Sequence, residues 1–147
     1  MTRAWTPEQL NALEKPVKRT RVGKAVKGGP TERVIQRGIV KGLRERHLRV
    51  IHIPNGGAYT GDNIARLRMA MAKRMDGEVA GFPDLLLLRP AKRGGPEIGL
   101  LEVKRAGGVL SERQVATLTH LEADGFKAAV VTSLDEALAA LKRWGWM

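Results

Sequence analysis

Residues 81–104 read GFPDLLLLRPAKRGGPEIGLLEVK. Two short apolar runs, Leu85-Leu86-Leu87-Leu88 and Ile98-Gly99-Leu100-Leu101, are bounded by turn residues, the pattern of strands buried on both faces. The basic segment from Pro90 to Pro96, which contains Lys92 and Arg93, is expected to turn one strand into the next. Side chains alternate along a strand, so Glu102 and Lys104 share one face while Val103 takes the other. An acid and an ammonium therefore enter one pocket. Asp84, at the mouth of the neighbouring strand, brings a second carboxylate toward the first. Two converging carboxylates suit a hard divalent cation such as Mg²⁺ or Mn²⁺, which takes one or two protein carboxylates, several waters and substrate phosphate. The lysine narrows the reading, because a cation beside a metal is tolerated when an anion such as a phosphodiester also arrives. Taken singly, Pro-Asp is a turn and Glu-x-Lys a common ion pair at a strand end; only the combination is informative.

Working outward, the pattern from Thr31 to about Arg46 is helical, with Thr31 as cap and Ile35, Ile39 and Leu43 recurring every four residues. At about 100° per residue Glu32 falls inside that apolar stripe, which favours an inward task for its carboxylate over a purely dipolar one. Arg33, Arg37, Lys41 and Arg44 fall on other faces, where phosphate is within reach. Val50 to Ile53 reads as a strand closed by Pro54-Asn55-Gly56-Gly57, a loop whose backbone amides from Asn55 to Gly57 either meet an anion or only turn a corner. Tyr59, the only tyrosine, either stacks on a base or covers this loop.

Asp62 to Met75 is expected to be a capped helix in which Ile64, Leu67, Met71 and Met75 face the core in preference to a partner, with Arg66, Arg68, Lys73 and Arg74 on other faces; shaping a substrate channel or a dimer contact is the alternative use of the helix. Beyond Lys104, Ser111-x-x-Gln114 is a capping box and by itself accounts for Gln114. Gln114 also begins a stripe with Leu118 and Leu121, so its amide can turn to the lysine pocket as well. Phe126 to Val131 is a further buried strand, Ser133-x-x-Glu136 a second capping box opening a helix through Leu141, and Trp144 and Trp146 cover core or a subunit contact. His47, His52 and His120 lack metal-ligand spacing and receive no catalytic role.

The formal charge of +11 is uneven: residues 1–77 carry 17 Lys and Arg against 6 Asp and Glu, and residues 78–147 carry 9 against 9. The basic half supplies phosphate contacts and steering, and the neutral half holds the acids. Residues 1–30, with three prolines and few apolar side chains, read as a basic arm without fixed structure beyond a short helix near Thr6 to Leu13. The remaining 31–147 form one domain. The absence of cysteine excludes disulfides, zinc thiolates and a cysteine nucleophile, and with no signal-peptide core or membrane-length apolar run a cytoplasmic location is expected. There is no phosphate-loop motif for nucleotide triphosphates.

Gly81-Phe82-Pro83-Asp84-Leu85, then Glu102-Val103-Lys104-Arg105, then Ser111-Glu112-Arg113-Gln114, with Glu32 on a preceding helix, resemble the virus-type replication-repair nuclease (VRR-NUC) domain of the PD-(D/E)XK phosphodiesterase superfamily. The likeness runs from about Thr31 to the last helix. It implies an α/β class, restriction-endonuclease-like α/β/α sandwich with a central four-stranded mixed sheet. It also implies Mg²⁺- or Mn²⁺-dependent DNA cleavage. Asp84, Glu102, the Val103 carbonyl and Glu32 would hold the metal, with Lys104 and Gln114 catalytic beside them. Arg33, Arg37, Lys41, Asn55, Gly56, Gly57, Arg66, Lys73 and Arg105 are the expected nucleic-acid contacts. Standalone proteins similar to this one are often phage nucleases related to junction-resolving homodimers, which implies branched DNA such as a Holliday junction as substrate and, for a phage protein, the host cytoplasm as location. A sequence-preferring or nicking endonuclease of the same fold, and a non-cutting nucleic-acid binder, are the alternatives.

Overall fold

The computed structural model describes residues 19–55, 62–90 and 95–147. The helix near Thr6 to Leu13, Tyr59 and the turn residues Lys92 and Arg93 lie outside them. In chain order the elements are β1 (Thr20–Arg21), α1 (Glu32–Arg44), β2 (Arg49–His52), α2 (Asn63–Met75), β3 (Leu85–Arg89), β4 (Glu97–Val103), β5 (Val109–Leu110), α3 (Glu112–Ala123), β6 (Lys127–Val131) and α4 (Leu134–Arg143).

Leu85 to Arg89 and Glu97 to Val103 pair antiparallel, with Leu85 opposite Leu101 and Leu88 opposite Ile98, so the two apolar runs form the middle of the sheet. β2 adds antiparallel on the free side of β3, and β6 adds parallel on the free side of β4, in the order β2-β3-β4-β6. A parallel partner requires a crossover, which α3 supplies. Because the central strands are apolar on both faces, helices cover both. On one face Leu85, Leu87, Leu101 and Val103 pack with Ile39 and Leu43 of α1 and Ala137, Ala140 and Leu141 of α4. On the other, Leu100 and Ala128 pack with Leu118 and Leu121 of α3. The result is the mixed α/β sandwich, with a four-stranded central sheet, of a restriction-endonuclease-like fold.

Close approaches are made by glycine. A Cβ on Gly42 would overlap the Leu134 side chain, and one on Gly99 would lie 2.7 Å from the Trp144 ring, so α1 meets α4 and the carboxyl-terminal tryptophans meet β4 only because these positions are bare. Trp146 is buried in the core and Trp144 packs against it. At this end of the sheet Glu97 bonds Arg89 at 2.7 Å and Lys127 at 3.1 Å, tying β3, β4 and β6 together. The Lys127 ammonium, and secondarily Arg89, holds the Glu97 carboxyl below its ordinary range.

Several sequence expectations are revised, among them the second capping box, where the Glu136 carboxylate accepts from the Thr132 amide instead of the Ser133 amide. α2 forms as its cap at Asp62 predicts, but none of its residues is buried, and Ile64, Leu67, Met71 and Met75 are exposed where core was expected. Periodicity fixes which side chains share a face; it does not supply a partner for the face. Part of the basic segment before residue 31 is ordered: β1 pairs antiparallel with β5, and Val22 exchanges backbone hydrogen bonds with Gly107 and Gly108. The last strand begins at Lys127, leaving Phe126 exposed.

Candidate active site

β4 carries its last residues past the end of β3, and the two flanking helices begin there. Asp84, just before β3, accepts a 2.9 Å hydrogen bond from the Val103 amide at Oδ2, which fixes one carboxylate against the end of β4. Glu102, 1% exposed, and Lys104, also buried, leave β4 on the same face as alternation requires, with Lys104 Nζ 3.2 Å from Glu102 Oε1. The Val103 side chain points into the opposite core.

The helix starts complete the group. Thr31 caps α1, and the first-turn Glu32 places Oε2 4.0 Å from Lys104 Nζ, so the ammonium lies between two glutamates on different elements. Ser111 caps α3 in a full capping box. Within it Gln114 Oε1 accepts from the Ser111 amide at 2.9 Å, and its other end, Nε2, donates to Glu102 Oε1 at 2.5 Å. The two readings of Gln114 therefore hold together, with one change: the amide meets Glu102 rather than the lysine. Gly81 lets the Pro83-Asp84 segment approach this helix start, since a Cβ there would sit 2.8 Å from the Arg113 carbonyl carbon and its φ of +85° already favours glycine.

The charges are not balanced within this group. Burial, reinforced by the negative charge of Asp84, pushes the Glu102 carboxyl up to about 7 despite the adjacent Lys104. Burial also raises Asp84, against the opposing pull of the Val103 amide and Lys104. Glu102 Oε2 is buried with no hydrogen-bond partner. A buried carboxylate oxygen left bare beside a second carboxylate is stabilised by a bound cation, so the donor set fits a divalent ion. Among the described residues no three His, Cys, Asp or Glu groups are placed to hold a metal ion together.

Arg33, Arg37 and Asn55 line an open hollow of about 640 Å³ next to Asp84, together with Gln36, His52 and Pro54. Asn55 donates from Nδ2 to the Phe82 carbonyl, so its side chain fastens the loop after β2 to the Asp84 segment. Lys41 lines a second hollow further along α1. Arg66 and Lys73, on α2, line neither hollow, and Lys73 is paired with Glu78 at 3.3 Å. Arg105 is exposed in the loop after β4, and Gly56 and Gly57 lie outside the described residues. Gln36 was not singled out in the sequence, and His52 was considered there but given no catalytic role; both line this hollow. The signal for His52 was strand alternation from buried Val50, but its nearness to Asp84 required knowing that β2 pairs with β3, where His52 lies opposite Leu85.

An α/β sandwich that presents an acid before one strand, Glu-x-Lys at the end of the next and a glutamate on the first helix is a nuclease of the PD-(D/E)XK type, the class whose domains generally use divalent metals to act on DNA. Within that class the chain belongs to the VRR-NUC domain family, whose model matches residues 31–135. No curated protein and no solved structure matches it. No helix among the described residues is long and apolar enough to cross a membrane.

Proposed function

We propose that this nuclease hydrolyses DNA phosphodiester bonds with one or two Mg²⁺ or Mn²⁺ ions held by Asp84, Glu102 and the Val103 carbonyl, with Glu32 assisting directly or through water. The observation that carries this reading is the bare, buried Glu102 Oε2 beside Asp84, with Lys104 occupied at the other oxygen of the same carboxylate. When bound, such an ion would neutralise phosphate charge and lower the pKa of water toward about 7.

The chain's own groups do the rest. Gln114 holds Glu102 Oε1 and thereby leaves Oε2 free to face the ion. Lys104, fixed between Glu102 and Glu32, orients the attacking water and stabilises the negative charge that builds on the phosphoryl oxygens. Water oxygen bonds to phosphorus as the P–O bond to the leaving sugar oxygen breaks, and a proton returns to that oxygen, so no covalent enzyme intermediate forms. The helix starts of α1 and α3 add a positive end on either side.

The preferred substrate is branched DNA, a Holliday junction or flap, cut by a homodimer whose two sites act on two strands. The uncovered apolar stripe of α2 supports a second copy as partner. In this reading the protein works in the cytoplasm, the host's if it is phage-encoded, and the nuclease domain comprises residues 31–147 together with the Thr20–Val22 segment paired onto it. The test is incubation of labelled junction, flap and linear duplex with Mg²⁺ or Mn²⁺, with EDTA and Lys104→Ala as controls. Junction cleavage by the wild type alone is expected; a wild type that cuts none of the three under any condition ends the proposal.

A further inference from the structure

The hollow beside Asp84 does not stop there. Gln36, Arg37 and His52 line it and also line a second hollow of about 540 Å³ that continues along α1 past Val40 and Lys41 to Glu45. The two are one trough, with the acid end at Asp84 and a floor made by one side of α1 and by His52 on the outermost strand of the sheet.

Arg33, Arg37 and Lys41 stand along this trough at intervals of four residues, all exposed. At 1.5 Å per residue they are about 6 Å apart along the helix, a spacing comparable to that of consecutive phosphates on one nucleic-acid strand, and the three together cover about 12 Å. Among the described residues no ion pair engages any of them, in contrast to Lys73, Arg89, Lys104 and Lys127. Arg44 is spent internally, donating to the Val50 carbonyl at 3.0 Å, and Glu45 closes the far end with the opposite charge. Cations held unneutralised in a row beside a phosphodiester-cutting centre make a backbone contact surface without base reading.

The geometry points to a track for one strand of the substrate: about three successive phosphates on one side of the scissile bond lie along Arg33, Arg37 and Lys41, leaving the active site over α1 rather than over α2. This rests on the nuclease reading for the placement of the scissile bond, but not for the track itself.

The test is equilibrium binding by fluorescence anisotropy in EDTA, where no cleavage is needed, to a single-stranded oligonucleotide and to a duplex of the same length over a range of KCl. The proteins are wild type, Arg33→Gln, Arg37→Gln, Lys41→Gln, the triple variant, and Arg143→Gln on α4 as a basic surface control. Each track substitution is expected to make the slope of log K against log[KCl] shallower by about 0.7 on the single strand and about 0.9 on the duplex, and the triple variant by about 2 to 3. Circular dichroism checks that each variant is folded. Track variants indistinguishable from Arg143→Gln on both ligands overturn the inference, and an effect confined to the duplex overturns the one-strand path. Because nothing is cut in these measurements, a protein lacking nuclease activity can still show the track, and an active one can still lack it.

Discussion

Gln114 spans from the α3 cap to the carboxylate of Glu102: one end of its amide closes the capping box on Ser111, and the other donates to Glu102 Oε1. A side chain that satisfies a helix start thus also decides which oxygen of Glu102 is left bare. Gln114→Ala is expected to lose about 1 to 2 kcal/mol of stability through the cap and the bond to Glu102. It should also lower cleavage by about 10- to 100-fold by freeing that carboxylate. Gln114→Glu keeps an acceptor for the Ser111 amide but sets a third acid against Glu102, and should shift the pH profile of cleavage to the alkaline side. Urea melts and pH–rate profiles of both variants check this; unchanged activity in each would remove Gln114 from the site.

The raised Glu102 carboxyl makes the metal-free protein less stable as the solution becomes alkaline. With a native value of about 7 against 4.5 ordinarily, the native state holds a proton that the unfolded chain has released across that interval. Its favourable contribution is therefore complete below about 4.5 and is lost as pH rises through 7, a change on the order of 3 kcal/mol. Burial of Asp84 acts in the same direction. In EDTA, unfolding free energy should fall between pH 5 and pH 8, and Glu102→Gln should flatten that fall. Equal slopes for variant and wild type would contradict the assignment.

Adding a divalent ion should reverse the loss. At pH 8, Mn²⁺ at about 100 times its dissociation constant is expected to stabilise the wild type by about 2.7 kcal/mol. Asp84→Asn and Glu102→Gln should forfeit most of this. Thermal melts with and without the ion give the answer directly, and an identical shift in all three proteins would place the ion elsewhere.

Gly81 and Gly77 separate backbone strain from steric contact. Both have positive φ, +85° and +88°, but only Gly81 would drive a Cβ into the start of α3. Gly77→Ala should cost about 1 kcal/mol, and Gly81→Ala at least about 2 kcal/mol because the Asp84 segment must also move away from Gln114. Chemical denaturation of the pair measures the difference, and equal costs would show that the contact yields easily.

The uncovered stripe of α2 offers a test of self-association. Leu67→Glu with Met71→Glu should change the stability of an isolated protomer by no more than about 0.5 kcal/mol per site, since neither residue is buried. Sedimentation equilibrium of the double variant should show a monomer where the wild type is a dimer. A variant that remains dimeric moves the contact off this helix, and a wild type that is monomeric at all concentrations removes the homodimer from the reading.

The central hairpin, the helix caps and the approach of Asp84 to Glu102 and Lys104 were legible in the sequence, because strand alternation and capping are local rules. Ser111, Thr31 and Asp62 cap the helices that their spacing predicts, and Ser133 accepts from the Glu136 amide, although the Glu136 carboxylate turns to Thr132 instead of closing a box. What was not legible depended on distant partners. Nothing near Thr20 announces that it will lie beside Leu110, His52 reaches Asp84 only through the β2–β3 pairing, and the periodicity of Ile64, Leu67, Met71 and Met75 is the same whether or not another surface covers it.

The β1–β5 pairing has a practical corollary for anyone trimming the protein. Cutting at residue 31, where the family match begins, would keep every proposed metal ligand and both helices whose first turns carry Glu32 and Gln114. It would nonetheless strip the strap from the loop that carries Arg105 to Ser111, baring Gly107 where Ala25 now packs and unlacing the lead-in to the α3 cap. The smallest dependable unit accordingly starts upstream of Thr20, and a shortened version could look inert for want of a brace although its chemistry was intact.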